Sequence, residues 1–288
     1  MRRARFLAGI GCAGVSFVVP AEGATAVPFA DIVRASTGTL ALYVRTMDGV
    51  VRYAYNADEL FPAASTIKLV IMLTAFRAYE AGNATPRTPV RIHARDLVGG
   101  SEFLEHAQPG WTYPMGALVE HMIRQSDNSA ANALISYFGF ERINAVARKI
   151  GMMRTTLKRH FLDYTAIVKH NDNRTTAHDL ALALYQIERG AREGIPTVAQ
   201  PDACRAMIRI LLGQEDRDKI PAGLPKNVPV ANKTGEIDGV RNDAAIVDPF
   251  GDLPYVIVVL TKDLQDESSG ISAISRISRR VYERLKAS

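Results

Sequence analysis

The 288-residue chain is 47% hydrophobic and 23% charged, which excludes the disordered and low-complexity classes and supplies apolar surface for one large domain or two interleaved ones. Its formal net charge of +5 falls to +3 if residues 1–26, with Arg2, Arg3, Arg5 and Glu22, are removed, an excess too small to point to nucleic acid. The histidines lack His-Glu-x-x-His spacing, and Cys204 has no partner once Cys12 is gone, so neither a metal or other cofactor nor a disulfide framework is expected.

Residues 1–26 read as a secretory leader: three early arginines, an apolar run over 6–19, and Ala24-Thr25-Ala26 as a small-residue cleavage site. The mature chain would begin near Val27, outside the cytoplasm (secreted or periplasmic), with Sec and twin-arginine export both open. No later apolar run has the roughly 18 residues of a membrane span. Residues 40–45 and 50–55 are β-rich and flank Met47-Asp48-Gly49, which predicts a hairpin. Residues 65–81 predict a helix that stops at Gly82-Asn83. Between about 88 and 213 helices dominate, with apolar spacing over 115–123, 130–138, 143–150 and 180–187. Strand character returns at 228–233, 244–247 and 255–260. The chain closes on a helix whose apolar face is Ile271, Ile274, Ile277, Val281 and Leu285, with Arg276, Arg279 and Arg280 toward water.

Strands at both ends with helices between imply an α+β fold, in which one sheet is built from distant segments and a helical region is inserted. The sheet part spans about 27–60 and 214–288, and the helical part about 61–213. A cleft between them is the natural place for a site.

Three clusters carry chemistry. Ser65-Thr66-Ile67-Lys68 puts a hydroxyl and an amine one turn apart, and a lysine kept neutral by burial and a second cation can take the serine proton. In Ser126-Asp127-Asn128, a second hydroxyl can relay a proton to a leaving nitrogen, while the Asn128 amide can hold both lysine and a substrate carbonyl. Asp127 is read as holding the turn. In Lys233-Thr234-Gly235, a cation and a hydroxyl face a substrate carboxylate, and glycine lets a substrate backbone approach. The N–H of Glu236 pairs with that of Ser65 as an oxyanion hole.

With these motifs in this order the chain resembles the class A β-lactamases, penicillin-recognising serine hydrolases, from about residue 39 to 285. Phe61-Pro62-Ala63-Ala64, Asn128-Ser129-Ala130-Ala131-Asn132, Thr175-Thr176 and Arg241-Asn242-Asp243 belong to the likeness. It implies a three-layer fold with a five-stranded antiparallel sheet flanked by helices, a monomer, and Arg241 beside Lys233 and Thr234 on the substrate carboxylate. The departure is Phe161, which stands where the family carries the glutamate that activates water for deacylation. Ungapped, Arg159 and Arg174 take the places of the loop-closing ion pair, so the loop must be held differently. Asp163 is the nearest acid and is the candidate to move water; Asp172 is a weaker one. The resemblance therefore implies a β-lactamase-type hydrolase with slow deacylation, a peptidoglycan D-Ala-D-Ala carboxypeptidase, or a β-lactam sensor without turnover.

Overall fold

The computed structural model describes residues 28–287; the leader read over residues 1–26 lies outside them. In chain order the principal elements are α1 (Ala30–Ala35), β1 (Thr39–Thr46), β2 (Val51–Tyr55), α2 (Lys68–Glu80), α3 (Met115–Arg124), α4 (Asn128–Phe138), α5 (Phe140–Lys149), α6 (Tyr164–Val168), α7 (Ala177–Glu193), α8 (Pro201–Leu212), β3 (Val230–Ile237), β4 (Val240–Val247), β5 (Tyr255–Lys262) and α9 (Glu267–Lys286). The five strands form one antiparallel sheet in the order β2-β1-β5-β4-β3, so the last strand of the chain lies between its two halves.

Strand alternation sorts the sheet's side chains into two cores. On β5, Val256, Val258 and Leu260 face the core shared with α2–α5, α7 and α8, while Tyr255, Ile257 and Val259 face the one closed by α1 and α9. The same split on β4 sends Ala244 and Ile246 one way and Ala245 and Val247 the other. This makes three layers with the sheet in the middle. Helix α2 is apolar on every side: Leu69 through Ala75 are all buried. Such a helix is stable only when wrapped by others, which α3, α4 and α5 do. Each fully buried Leu or Ile on it contributes about 1.5 to 3 kcal/mol. Among the described residues no helix is long and apolar enough to cross a membrane.

The expected hairpin is β1–β2, its turn closed by the Asp48 carboxylate, which accepts from Val50 N–H at 3.0 Å and from the Thr46 hydroxyl at 2.6 Å. Three expectations change. The predicted helix over 65–81 begins as a 3₁₀ turn, Ala64–Ile67, and becomes α-helical only at Lys68. The stretch taken as mostly helical contains long irregular runs stitched by short strand pairs, Pro89–Arg91 with Thr112–Pro114 and Phe61–Pro62 with Arg174–Thr175. Strands of two or three residues have no periodicity to read. Arg276 and Arg280 are not merely solvated: both pair with Asp31, Arg280 at 2.6 Å, tying α9 to α1.

Candidate active site

A cleft of about 720 Å³ opens where the sheet meets the helical region, lined by Ser65, Ser126, Asn128, Phe161, Thr234, Gly235 and Glu236 among others. Each motif arrives on its own element: Ser65 in the 3₁₀ turn before α2, Ser126 in the α3–α4 turn, Asn128 as the first residue of α4, and residues 233–236 on β3. Ala64 (φ 45°) and Ser126 (φ 60°) hold left-handed backbone conformations that are costly for residues with a Cβ. The strain falls at the two turns that present hydroxyls. Asp127 caps α4 by accepting from Ala130 N–H at 2.7 Å and also accepts from Phe103 N–H at 3.2 Å, so it holds the second turn as expected.

The sheet edge is fastened to the Ser65 turn. Asn242 on β4 donates to the Pro62 carbonyl at 2.9 Å. A Cβ placed on Gly235 would lie 3.0 Å from the backbone nitrogens of both Ser65 and Thr66. Glycine is therefore required here by the protein's own backbone, a tighter constraint than the substrate approach read from sequence. It also sets the Ser65 N–H beside β3, where an oxyanion hole with Glu236 N–H would have to form.

Lys68 is fully buried. Its Nζ donates to the Ser126 carbonyl at 2.5 Å, the Ser126 Oγ at 3.2 Å and the Asn128 Oδ1 at 2.9 Å. Burial, reinforced by the nearby Lys233 charge and opposed by Asp127, holds its pKa well below the ordinary lysine value. Lys233, also buried, donates to the Ser126 Oγ at 3.1 Å and to the Thr234 carbonyl at 2.9 Å, and burial brings it down to about 7. The Ser126 oxygen thus accepts from both lysines, which leaves its own proton free to be donated elsewhere. A neutral Lys68 needs only two of its three acceptors. Its lone pair is then available to a serine proton from the preceding turn.

The loop carrying Phe161 is closed by an acid, Asp172, where the ungapped reading puts a second arginine. Arg159 does not face Arg174 as a like charge; it pairs with Asp172 at 2.8 Å, both side chains buried, while Arg174 stands 4.0 Å off and half exposed. Asn173 completes the closure, accepting from the N–H groups of Lys158 (2.7 Å) and Arg159 (3.1 Å) and donating to the Arg159 carbonyl at 3.3 Å. Asn132 on α4 then clamps Phe161 through its backbone, accepting from its N–H at 2.7 Å and donating to its carbonyl at 3.3 Å. The ring of Phe161 consequently lies 4.4 Å from Lys68 Nζ. Removing the acid would strand a buried guanidinium, so Asp172→Ala should destabilise the fold by about 3 kcal/mol. Denaturant unfolding, with proteolysis of the 159–173 loop, checks this.

Two expected site residues are not brought into the chemistry. Asp163 is exposed and spends its carboxylate capping α6, accepting from Ala166 N–H at 3.0 Å; it does not line the cleft. Its short side chain, at the start of a helix, favours the cap over the ester. Arg241 is turned away, donating to the carbonyls of Ile237 (3.0 Å) and Val240 (2.8 Å) and pairing with Glu267 of α9. Behind the cleft-lining Glu236, which Arg241 Nε approaches to 3.7 Å, stands Lys219, which sequence reasoning missed. Lys219 is buried, and its Nζ lies 2.6 Å from both Asp216 and Glu236. The available signal was the three-residue spacing from Asp216 to Lys219 in an otherwise connecting loop.

A family model described as the beta-lactamase enzyme family matches residues 26–285. Beta-lactamase OXY-1 of Klebsiella oxytoca is 30% identical over 263 residues, covering 89% of this chain and 87% of its own. Beta-lactamase CTX-M-25 of Escherichia coli is 31% identical over 209 residues, 71% and 69% of the two chains. Among solved structures, an acyl-enzyme complex of a PBP-A mutant with penicillin G aligns with a TM-score of 0.81 at 27% identity, over 91% of this chain and 95% of that one. The beta-lactamase of Sphaerobacter thermophilus aligns at 0.79 and 28% identity, over 91% and 97%. With a matching model over nearly all of the described residues, and relatives at this identity and coverage, the chain belongs to the beta-lactamase enzyme family, among its class A serine hydrolases.

Proposed function

We propose that this chain is an exported hydrolase that opens β-lactam rings through an acyl-enzyme on Ser65 and releases the opened product slowly. In acylation, neutral Lys68 takes the Ser65 proton and Oγ attacks the lactam carbonyl, whose developing charge meets the N–H groups of Ser65 and Glu236. The C–N bond breaks as the Ser126 hydroxyl gives its proton to the leaving nitrogen, and Lys68 returns a proton to Ser126. Thr234 and Lys233 anchor the substrate's anionic end. What remains is an ester on Ser65 that water must cleave.

The observation that carries the slow second half is the Phe161 ring, 4.4 Å from Lys68 Nζ. It fills the place from which a carboxylate would activate water, and Asp163 is committed elsewhere. Losing general-base assistance costs about 10²- to 10⁴-fold. The same observation favours a second reading, a D-Ala-D-Ala carboxypeptidase, because its leaving amino acid diffuses away and admits water, whereas an opened β-lactam keeps its amine tethered. Incubation with a chromogenic cephalosporin and, separately, with a D-Ala-D-Ala peptide distinguishes them. A stoichiometric burst followed by slow turnover of the cephalosporin, without D-alanine release, supports the lactamase reading. Steady D-alanine release supports the peptidase, and inertness toward both contradicts the two together.

A further inference from the structure

Two cations behind the cleft wall next to Thr234, Lys219 and Arg241, already carry carboxylates of the chain itself. Lys219 Nζ sits between Asp216 Oδ2 and Glu236 Oε1, 2.6 Å from each, with its side chain 1% exposed. Arg241 is engaged by Glu267, and its Nε lies 3.7 Å from the same Glu236 oxygen. Glu236 is the outward member of this set: its side chain is 46% exposed and lines the cleft together with Ser65 and Thr234. A negative group of the protein thus stands on the cations beside the residues proposed to anchor an acyl donor.

We propose that Glu236 is a specificity-determining residue whose carboxylate, beside the Lys233–Thr234 anchor, weakens the preference of the cleft for acyl donors that carry a carboxylate near the scissile bond over those that carry none. This rests on the Ser65 acyl-transfer reading above. An incoming carboxylate must either stand within a few ångströms of Glu236, where like charges repel, or displace it from Lys219 and lose a charge-assisted contact. Displacement does not free Lys219, because Asp216 stays on it. A neutral ester or amide at the same place meets no such penalty. Because Glu236 is nearly half in water, the effect is moderate and screened by salt.

The test compares the second-order rates of Ser65 adduct formation by penicillin G and by its methyl ester, in the parent protein and in Glu236→Gln and Glu215→Gln variants. Glu215 lines the same cleft without contacting Lys219, so it controls for a general charge effect. Glu236→Gln should raise the acid-to-ester rate ratio about fivefold at low ionic strength and less at high. Glu215→Gln should change it by less than about twofold. An unchanged ratio in Glu236→Gln, or an equal rise in Glu215→Gln, overturns the proposal while leaving the acyl-transfer reading intact. If the parent forms no Ser65 adduct with either compound, the acyl-transfer reading itself fails, and this proposal with it.

Discussion

Phe161→Glu is expected to shorten the lifetime of a penicilloyl ester on Ser65 by about 10²- to 10⁴-fold, the usual worth of a positioned general base. The substitution is well placed because Asn132 holds residue 161 by its backbone N–H and carbonyl, contacts that do not depend on the ring. The new carboxylate would stand near Lys68 Nζ and, by attraction, stabilise its ammonium form. That raises the lysine's depressed pKa, so the gain in deacylation should come with an acylation profile moved to higher pH. Trapped-adduct mass spectrometry over time measures the first effect, and acylation rates across pH measure the second. An adduct as long-lived in the variant as in the parent would show that a missing base is not what slows release.

Lys68→Met should slow acylation by about 10²- to 10⁴-fold, since it removes the only buried amine that follows Ser65 within one turn. The sign of the pH dependence in the parent follows from the two lysines. Burial, and then the charge of Lys233, depress Lys68, so its basic form grows as pH rises through that lowered value. Lys233, brought to about 7 by burial, loses its charge above neutrality and with it the attraction for an anionic substrate. Acylation by a carboxylate-bearing β-lactam should therefore rise and then fall with pH, the falling limb near 7. In Lys68→Met the rising limb should vanish. Persistence of that limb would place the proton acceptor on another group.

How much of this was legible beforehand depended on whether a residue's role is local or set by what the fold brings to it. The unbroken apolar runs of β5 and α2 announce themselves, because burial on both faces of a strand or all round a helix leaves a continuous stretch of apolar residues. The three motifs are local too, since Ser65 and Lys68 are neighbours in any helical turn. The α3–α4 turn that presents Ser126 is stabilised by its own Asp127. Residues whose partner comes from afar could not be read. Asp172 was ranked as a weak catalytic acid, yet its partner is Arg159, thirteen residues earlier across an irregular loop. Arg241 was assigned to the substrate by its position in a motif, but Glu267, from a helix at the end of the chain, takes it. Asp163 looked available because nothing in its neighbourhood marked a helix as short as α6. Gly235 reads in the sequence as a place for a substrate backbone to approach, whereas the backbone that approaches it in the fold is the Ser65 turn.

Intact-protein mass spectrometry of the parent, Ser65→Ala and Lys68→Met proteins after exposure to penicillin G bears most directly on the chemistry of Ser65 and Lys68. Acylation of Ser65 with Lys68 as its base predicts one long-lived adduct on the parent, mapped to the Ser65 peptide, none on Ser65→Ala, and slow, incomplete labelling of Lys68→Met. Labelling of Ser65→Ala, or undiminished labelling of Lys68→Met, would contradict it.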